Sequence, residues 1–346
     1  MRKREKGFSV MEMMIVVLLM SVVALIFYEL LDGAMDLSLI VESHNDLITS
    51  GQRAINNIQT EVHQAKMLFQ DNTLGNEYRN ALDIPTSVPV WGGTTTSKMP
   101  VFDDTGELVP DSGTGGSRRV GNCFLIARHL PPVSITYDAD NDGTDDTTIL
   151  ADEYRFQFYY ISTNTQRSFF FLGYYLDLVE AKSDTYADYF QLSNLDATNP
   201  SGNTIQQQVS AKLLARGVRQ AWNPGQEIDS AFYGLVDGGV SGTPIQSPTI
   251  KMNAKSLFPE FRGGRVSGRI DYSIAFVPEL PTPPFAVKDR IPLYAQQDGD
   301  FPGGLEFLVV GPSGSRKVLS RLVLVSRYKA GKMDSQENFV ITSSKS

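Results

Sequence analysis

Apolar positions are densest at the start of the chain. From Phe8 to Leu31 the run is broken only by Ser9, Glu12, Ser21, Tyr28 and Glu29. That length suits a helix crossing a hydrocarbon core of ~30 Å. The preceding residues, Met1-Arg2-Lys3-Arg4-Glu5-Lys6-Gly7, are short and basic, a flank that stays in the cytoplasm while everything after the span is exported. A cleaved secretory signal fits less well. Its apolar region would cover only ~7–15 residues and end in a small-residue site, and neither Ala24 nor Ala34 introduces one.

Beyond the span the pattern turns amphipathic. Leu30, Ala34, Leu37, Val41, His44, Ile48, Gly51, Ile55, Ile58, Val62, Ala65 and Phe69 recur at spacings of four and three. They form one helical stripe, with Glu42, Asn45, Asp46, Gln52, Asn56, Gln59 and Glu61 off it. At 1.5 Å per residue a helix from Phe8 to Phe69 would extend roughly 90 Å. No proline precedes Pro85, and Ser50-Gly51 is the expected bend. His44, lying on the stripe, is expected to be a satisfied core histidine.

From Asp71 to Arg119 the chain becomes rich in Gly, Pro, Thr, Ser and Asp, and reads as loops with short hairpins. Strands are expected near 122–127, 133–137, 154–162, 169–176, 186–192, 270–277, 305–310 and 317–326. Gly311-Pro312-Ser313-Gly314 joins the last two as a hairpin. A short helix is expected over 204–216. One long helix followed by mostly antiparallel strands makes the fold class α+β. The aromatic run of Tyr154, Phe156, Phe158, Tyr159, Tyr160, Phe169, Phe170, Phe171, Tyr174 and Tyr175 reads as core on alternating strands.

Composition narrows the functions available. The 346 residues carry a formal charge of −8, so no global basic field draws nucleic acid. The single cysteine, Cys123, excludes an intramolecular disulfide and a thiolate zinc cluster, and its apolar neighbours read as a buried thiol. Three histidines in separate segments offer little for a catalytic or metal centre. Gly113-Thr114-Gly115-Gly116-Ser117 lacks the Lys-Ser/Thr pair of a phosphate loop, and no enzyme signature emerges.

Glu12 is the informative exception in the span. A carboxylate there costs roughly 2.5–3.5 kcal/mol on insertion scales and calls for a partner. Gly7-Phe8-Ser9-Val10-Met11-Glu12 resembles the type IV prepilin cleavage site, with Glu12 the fifth residue counted from Phe8. The resemblance implies that prepilin peptidase cuts after Gly7 and that Phe8 becomes the N-methylated first residue. It also implies that Glu12 meets the terminal amine of a neighbouring subunit among packed helices. The corresponding organisation is a leader at 1–7, a transmembrane half-helix at 8–31, an amphipathic half at 32–70 and a β-rich head at 71–346. The precursor would sit in a bacterial inner membrane with its head in the periplasm, before joining other pilins or pseudopilins in a filament. Size and the absent disulfide make the chain most similar to PilW-type minor pilins, and then to large minor pseudopilins of type II secretion. Such a subunit would build the tip and prime or cap the filament; a tip adhesin using the 71–119 loops, a membrane-tethered enzyme, and a signal-anchored exported protein of unrelated function are the alternatives.

One acidic constellation remains, Asp138-Ala139-Asp140-Asn141-Asp142-Gly143-Thr144-Asp145-Asp146. Alternate carboxylates around a glycine turn can converge on Ca²⁺ at ~2.3–2.6 Å, so Asp138, Asp140, Asp142 and Asp146 are candidate ligands. The spacing departs from an EF-hand loop where a bidentate glutamate is needed, since Ile149 stands there. The competing reading is a polar hairpin turn at Asp142-Gly143, with 133–137 and 148–150 as its arms.

Overall fold

The computed structural model describes residues 9–92, 97–113, 117–140, 142–164, 175–188, 205–216, 218–219, 250–258, 271–275, 293–295, 301, 303–329 and 332–344. Its first element, α1, runs from Val10 to His63 over 54 residues. Ser9 is the N-cap, and no proline interrupts the helix. Gly51 is a point of close approach rather than a break. The helix continues through it, and a Cβ there would lie 2.0 Å from Asn338 Nδ2.

α1 stops at His63, short of the expected Phe69, and β1 (Ala65–Leu68) follows almost at once. Ala65 and Phe69 are buried as the stripe required, but Ala65 is a strand residue opposite Arg128, and Leu68, which is off the stripe, is buried opposite Ile126. An open strand edge competed with one more helical turn and won, which periodicity over so few residues does not foresee.

The remaining elements are α2 (Thr73–Asn80), β2 (Leu82–Asp83), β3 (Phe124–Tyr137), β4 (Thr147–Asn164), β5 (Tyr175–Asp188), α3 (Ile205–Ala215), β6 (Val218–Arg219), β7 (Ile250–Ser256), β8 (Asp271–Ile274), β9 (Leu305–Val310), β10 (Arg316–Lys329) and β11 (Lys332–Ser344). One sheet runs β1-β3-β4-β5-β7-β2, with β6 beside β5; the other runs β11-β10-β8, with β9 also on β10. Pairing is antiparallel except for β2 with β7 and β5 with β6. This is the α+β architecture expected, a long apolar helix and a mostly antiparallel head.

The strands at 154–162, 305–310 and 317–326 find their place, as do the 204–216 helix and, over Asp271–Ile274, the 270–277 strand, whereas those expected at 122–127 and 133–137 are the two ends of one strand, β3. Strand β5 does not match the expected pair at 169–176 and 186–192, because it fills the gap between them. Residues 169–174 and 189–192 lie outside the described residues. The 71–119 stretch is more ordered than its composition suggests. It contributes α2, and Tyr78, Leu82 and Met99 join Phe69, Leu125, Phe156, Phe158 and Tyr160 in one core cluster.

The head clamps the last third of α1. Leu47, Ala54, Ile55, Ile58 and Val62 pack against Phe124, Ile126, Tyr159, Ile161 and Leu178 of one sheet and Phe307, Val309, Leu322 and Leu324 of the other. Glu61, expected on the polar side, is buried beneath the first sheet. It bonds Arg128 Nη1 at 3.0 Å and Lys182 Nζ at 2.9 Å. Lys182 also reaches the buried Glu180 at 3.1 Å, and the Tyr159 hydroxyl donates to Glu180 at 3.1 Å. Burial alone would raise the Glu61 pKa, but hydrogen bonds from Lys182 and Gln157 and the charges of Lys182 and Arg128 carry it below the ordinary value. A depressed folded pKa gives stability that is present above the unfolded value and lost as pH falls through the folded one.

Candidate functional site

The N-terminal half of α1 is the feature most suited to a function. Among the described residues nothing covers it, and every large apolar side chain from Val10 to Leu31 is exposed. It is the one described helix long and apolar enough to cross a membrane, and none of its apolar stretch is buried. In water so large an apolar surface has no stable environment; a bilayer or other helices must cover it.

Glu12 sits at the first turn of this surface. Its Oε2 accepts the Ser9 backbone N–H at 2.8 Å, while Ser9 Oγ accepts from Met11 N–H at 3.3 Å. The carboxylate therefore already caps its own helix and favours the N-terminal end of the dipole. This use of Glu12 was readable as Ser-x-x-Glu ahead of an apolar run, a signal the reading of Glu12 as an assembly residue passed over. Gly7 and Phe8 lie outside the described residues.

The acidic loop forms the turn of the β3–β4 hairpin. Ser134, Ile135, Thr136 and Tyr137 face Leu150, Ile149, Thr148 and Thr147, so the arms are those expected. Asp138, Asp140 and Asp142 each bring a carboxylate oxygen within 4.8 Å of the others. Asp146 is not in that group; its carboxylate accepts the Thr147 hydroxyl at 3.0 Å. The loop also uses its own acids. Asp138 Oδ2 accepts Gly143 N–H at 3.0 Å, Asp140 Oδ1 accepts Asp142 N–H at 3.3 Å, and Asp142 Oδ1 accepts Thr144 N–H at 2.7 Å. Gly143, at φ 92°, takes the left-handed turn that favours glycine. Three oxygens are at most half of the six to eight that Ca²⁺ takes.

His44 differs from expectation. Its side chain is about half exposed, and Nδ1 lies 2.9 Å from Asp334 Oδ2 on β11, at the edge of the helix–head contact rather than in the core. Cys123 is wholly buried, as its neighbours implied. Burial pushes its thiol up to about 11, against smaller opposing effects of a Ser97 hydrogen bond and the Arg79 charge. The thiolate is the reactive form. A thiol-specific alkylating reagent at pH 8 is therefore expected to leave the folded chain unmodified and to label one site once denaturant is added. Stoichiometric labelling without denaturant would show that the β3 end opens readily.

Residues 2–28 match the family described as "Prokaryotic N-terminal methylation motif". No curated protein and no solved structure matches the chain. The matched segment is the start of the exposed apolar helix with its basic flank, and it supports a type IV pilin-like chain, anchored in a membrane as its precursor. That class implies dealings with prepilin peptidase and with other pilins, and a structural subunit rather than an enzyme.

Proposed function

We propose that the chain is a minor subunit of a type IV pilus or of a type II secretion pseudopilus, priming or capping the filament. The observation carrying this is the uncovered apolar half of α1, which starts at the matched motif and ends in a large head firmly fixed to the other half. In this reading the head stands outside the membrane, Gly7 precedes the scissile bond, Phe8 becomes the methylated terminus, and Glu12 meets that terminus on a neighbouring helix. A head of this size and without a disulfide favours a minor subunit of the PilW type over a major one.

Intact-mass and N-terminal analysis of the protein from cells with and without prepilin peptidase tests the reading. Loss of Met1–Gly7 and gain of one methyl on Phe8, only with the peptidase, is the expected result. A chain beginning at Met1 in both strains would overturn it and leave a signal-anchored exported protein. The adhesin alternative cannot be tested by deleting 71–119, because Tyr78 and Met99 are core residues and the head would unfold.

The calcium reading of the acidic turn is a separate proposal, supported only by the convergence of Asp138, Asp140 and Asp142. Titrating Ca²⁺ into the detergent-solubilised chain should raise its melting temperature by a few degrees, an effect lost in Asp140→Asn. An unchanged melting curve in millimolar Ca²⁺ returns the loop to a turn held by its own backbone.

A further inference from the structure

A cavity of about 240 Å³ lies between α2, the segment after β2, and β4. Leu82, Ile84, Val90 and Phe158 build its apolar side, and Phe158, 1% exposed, closes the floor. Arg79, Asn80 and Ser97 build its polar side, with the exposed Asn80 at the rim.

Both walls are held in place by the fold. Asn72 caps α2 by accepting Gly75 N–H at 2.8 Å, and Tyr78 of that helix packs on Phe69 with ring centres 4.7 Å apart. Opposite, the chain around Val90 is pinned to β4. The Tyr160 hydroxyl donates to Val88 O at 2.8 Å, Trp91 N–H donates to Ile161 O at 2.7 Å, and Val90 bridges Ser162. A site already formed binds without the cost of ordering its loops.

Arg79 is the anomaly in this cavity. It is half-buried; Nη1 donates to Ser97 O at 2.9 Å, but Nε is buried with no acceptor. Among the described residues no carboxylate pairs with it. Its core neighbour is the Cys123 thiol, and Asp71, whose charge reaches the same thiol, is held by Asn76 Nδ2 at 2.8 Å. A guanidinium with donors to spare can be satisfied by a ligand, and its planar fork suits a carboxylate. One cation balances one negative charge, and the apolar wall suits a hydrocarbon body. The volume lies below the ~300–1,000 Å³ of drug-sized sites, so that body is small.

The cavity also faces away from α1. Along β4, Tyr159 and Ile161 pack in the cluster that holds the helix, whereas Phe158 and Tyr160 belong to the cluster on the other face of the sheet. Covering α1 therefore does not itself close the cavity. We propose that it binds a small monocarboxylate with a branched or aromatic hydrocarbon body, the carboxylate on Arg79 and the body against Phe158 and Leu82. This goes beyond the filament reading and needs only the folded head, so either can fail without the other.

Phenylacetate and isovalerate are the probes, titrated by calorimetry into the full-length detergent-solubilised chain with protein-free micelles as the blank. At least one should bind saturably with a Kd of about 1 mM or tighter, the scale for so few atoms. Phenylacetamide keeps the shape of phenylacetate without its charge and should bind at least ~10-fold more weakly. Arg79→Gln can still donate to Ser97 O but brings no charge, and should weaken the acid at least ~10-fold at a nearly unchanged melting temperature. Val90→Phe fills the cavity and keeps Arg79, so it should weaken the acid as much and decides the matter if Arg79→Gln folds poorly. No saturable binding of either acid up to ~10 mM would overturn the proposal. So would a folded variant of either kind that binds like wild type, or an amide or inorganic phosphate that binds as tightly as the acid.

Discussion

Replacing Arg321 with methionine is expected to destabilise the head by about 3–5 kcal/mol, the scale found when one partner of a buried ion pair is removed. Arg321 is 1% exposed and Glu306 is fully buried, with Arg321 Nη1 2.7 Å from Glu306 Oε2. Glu306 does more than answer the arginine. Its Oε1 also accepts backbone N–H groups of Leu293, Tyr294 and Ala295, at 3.1, 3.0 and 2.8 Å. Removing the guanidinium strands a carboxylate away from water with three dipoles but no counter-charge. A second substitution distinguishes charge from shape. Glu306→Gln added to Arg321→Met removes the stranded charge yet keeps a carbonyl for the three N–H groups, so it should recover ~1 kcal/mol or more. Glu306→Leu in its place should recover nothing, since three backbone donors would then be orphaned. Urea melts of the detergent-solubilised chain read all three. A double Met/Gln variant no more stable than Arg321→Met would show that the pair is not a desolvated charge site.

That pair also marks where the sequence was readable and where it was not. The β9–β10 hairpin was legible because its strands are apolar and its turn is Gly-Pro-Ser-Gly, with positive φ at Gly311 and Gly314. The apolar half of α1 was legible for the same reason, an unmixed pattern. β5 was not, since Asp177, Glu180, Lys182 and Asp184 give its middle the composition of a loop. Only in three dimensions do Glu180 and Lys182 meet each other and Glu61 under the helix. Glu61 falls off the apolar stripe, and one chain does not reveal that Arg128 and Lys182 lie opposite it. β7 and β11 hid in the same way, because Lys and Asn fill the one and Lys, Asp, Gln, Glu and Asn the first half of the other. Of the site, the Glu12 spacing and the three converging aspartates of the turn were visible in order along the chain. The separate position of Asp146 was not, because it depends on which way the hairpin arm turns.

Glu12→Gln should leave the chain processed, methylated and inserted, yet lower its incorporation into filaments by at least ~10-fold. Glutamine is chosen because the two roles of Glu12 make different demands. As a cap, Glu12 needs only an oxygen to accept Ser9 N–H, now 2.8 Å away, and an amide oxygen serves equally in a capping box. As the proposed partner of a neighbour's Phe8 amine, it needs its charge. Between packed helices, with little water, a missing counter-charge leaves an ammonium buried alone, and a loss of 1.4 kcal/mol already amounts to tenfold in an equilibrium. Glu12→Ala removes both roles and should add fraying at the start of α1, at a cost of about 1 kcal/mol. The measurement is the ratio of chain in sheared filaments to chain in membranes, with N-terminal mass taken on both fractions. If Gln and wild type incorporate alike while Ala fails, the carboxylate is a helix cap and nothing more. If Gln fails as badly as Ala while its N-terminus is correctly cut and methylated, the charge itself is what the filament recognises.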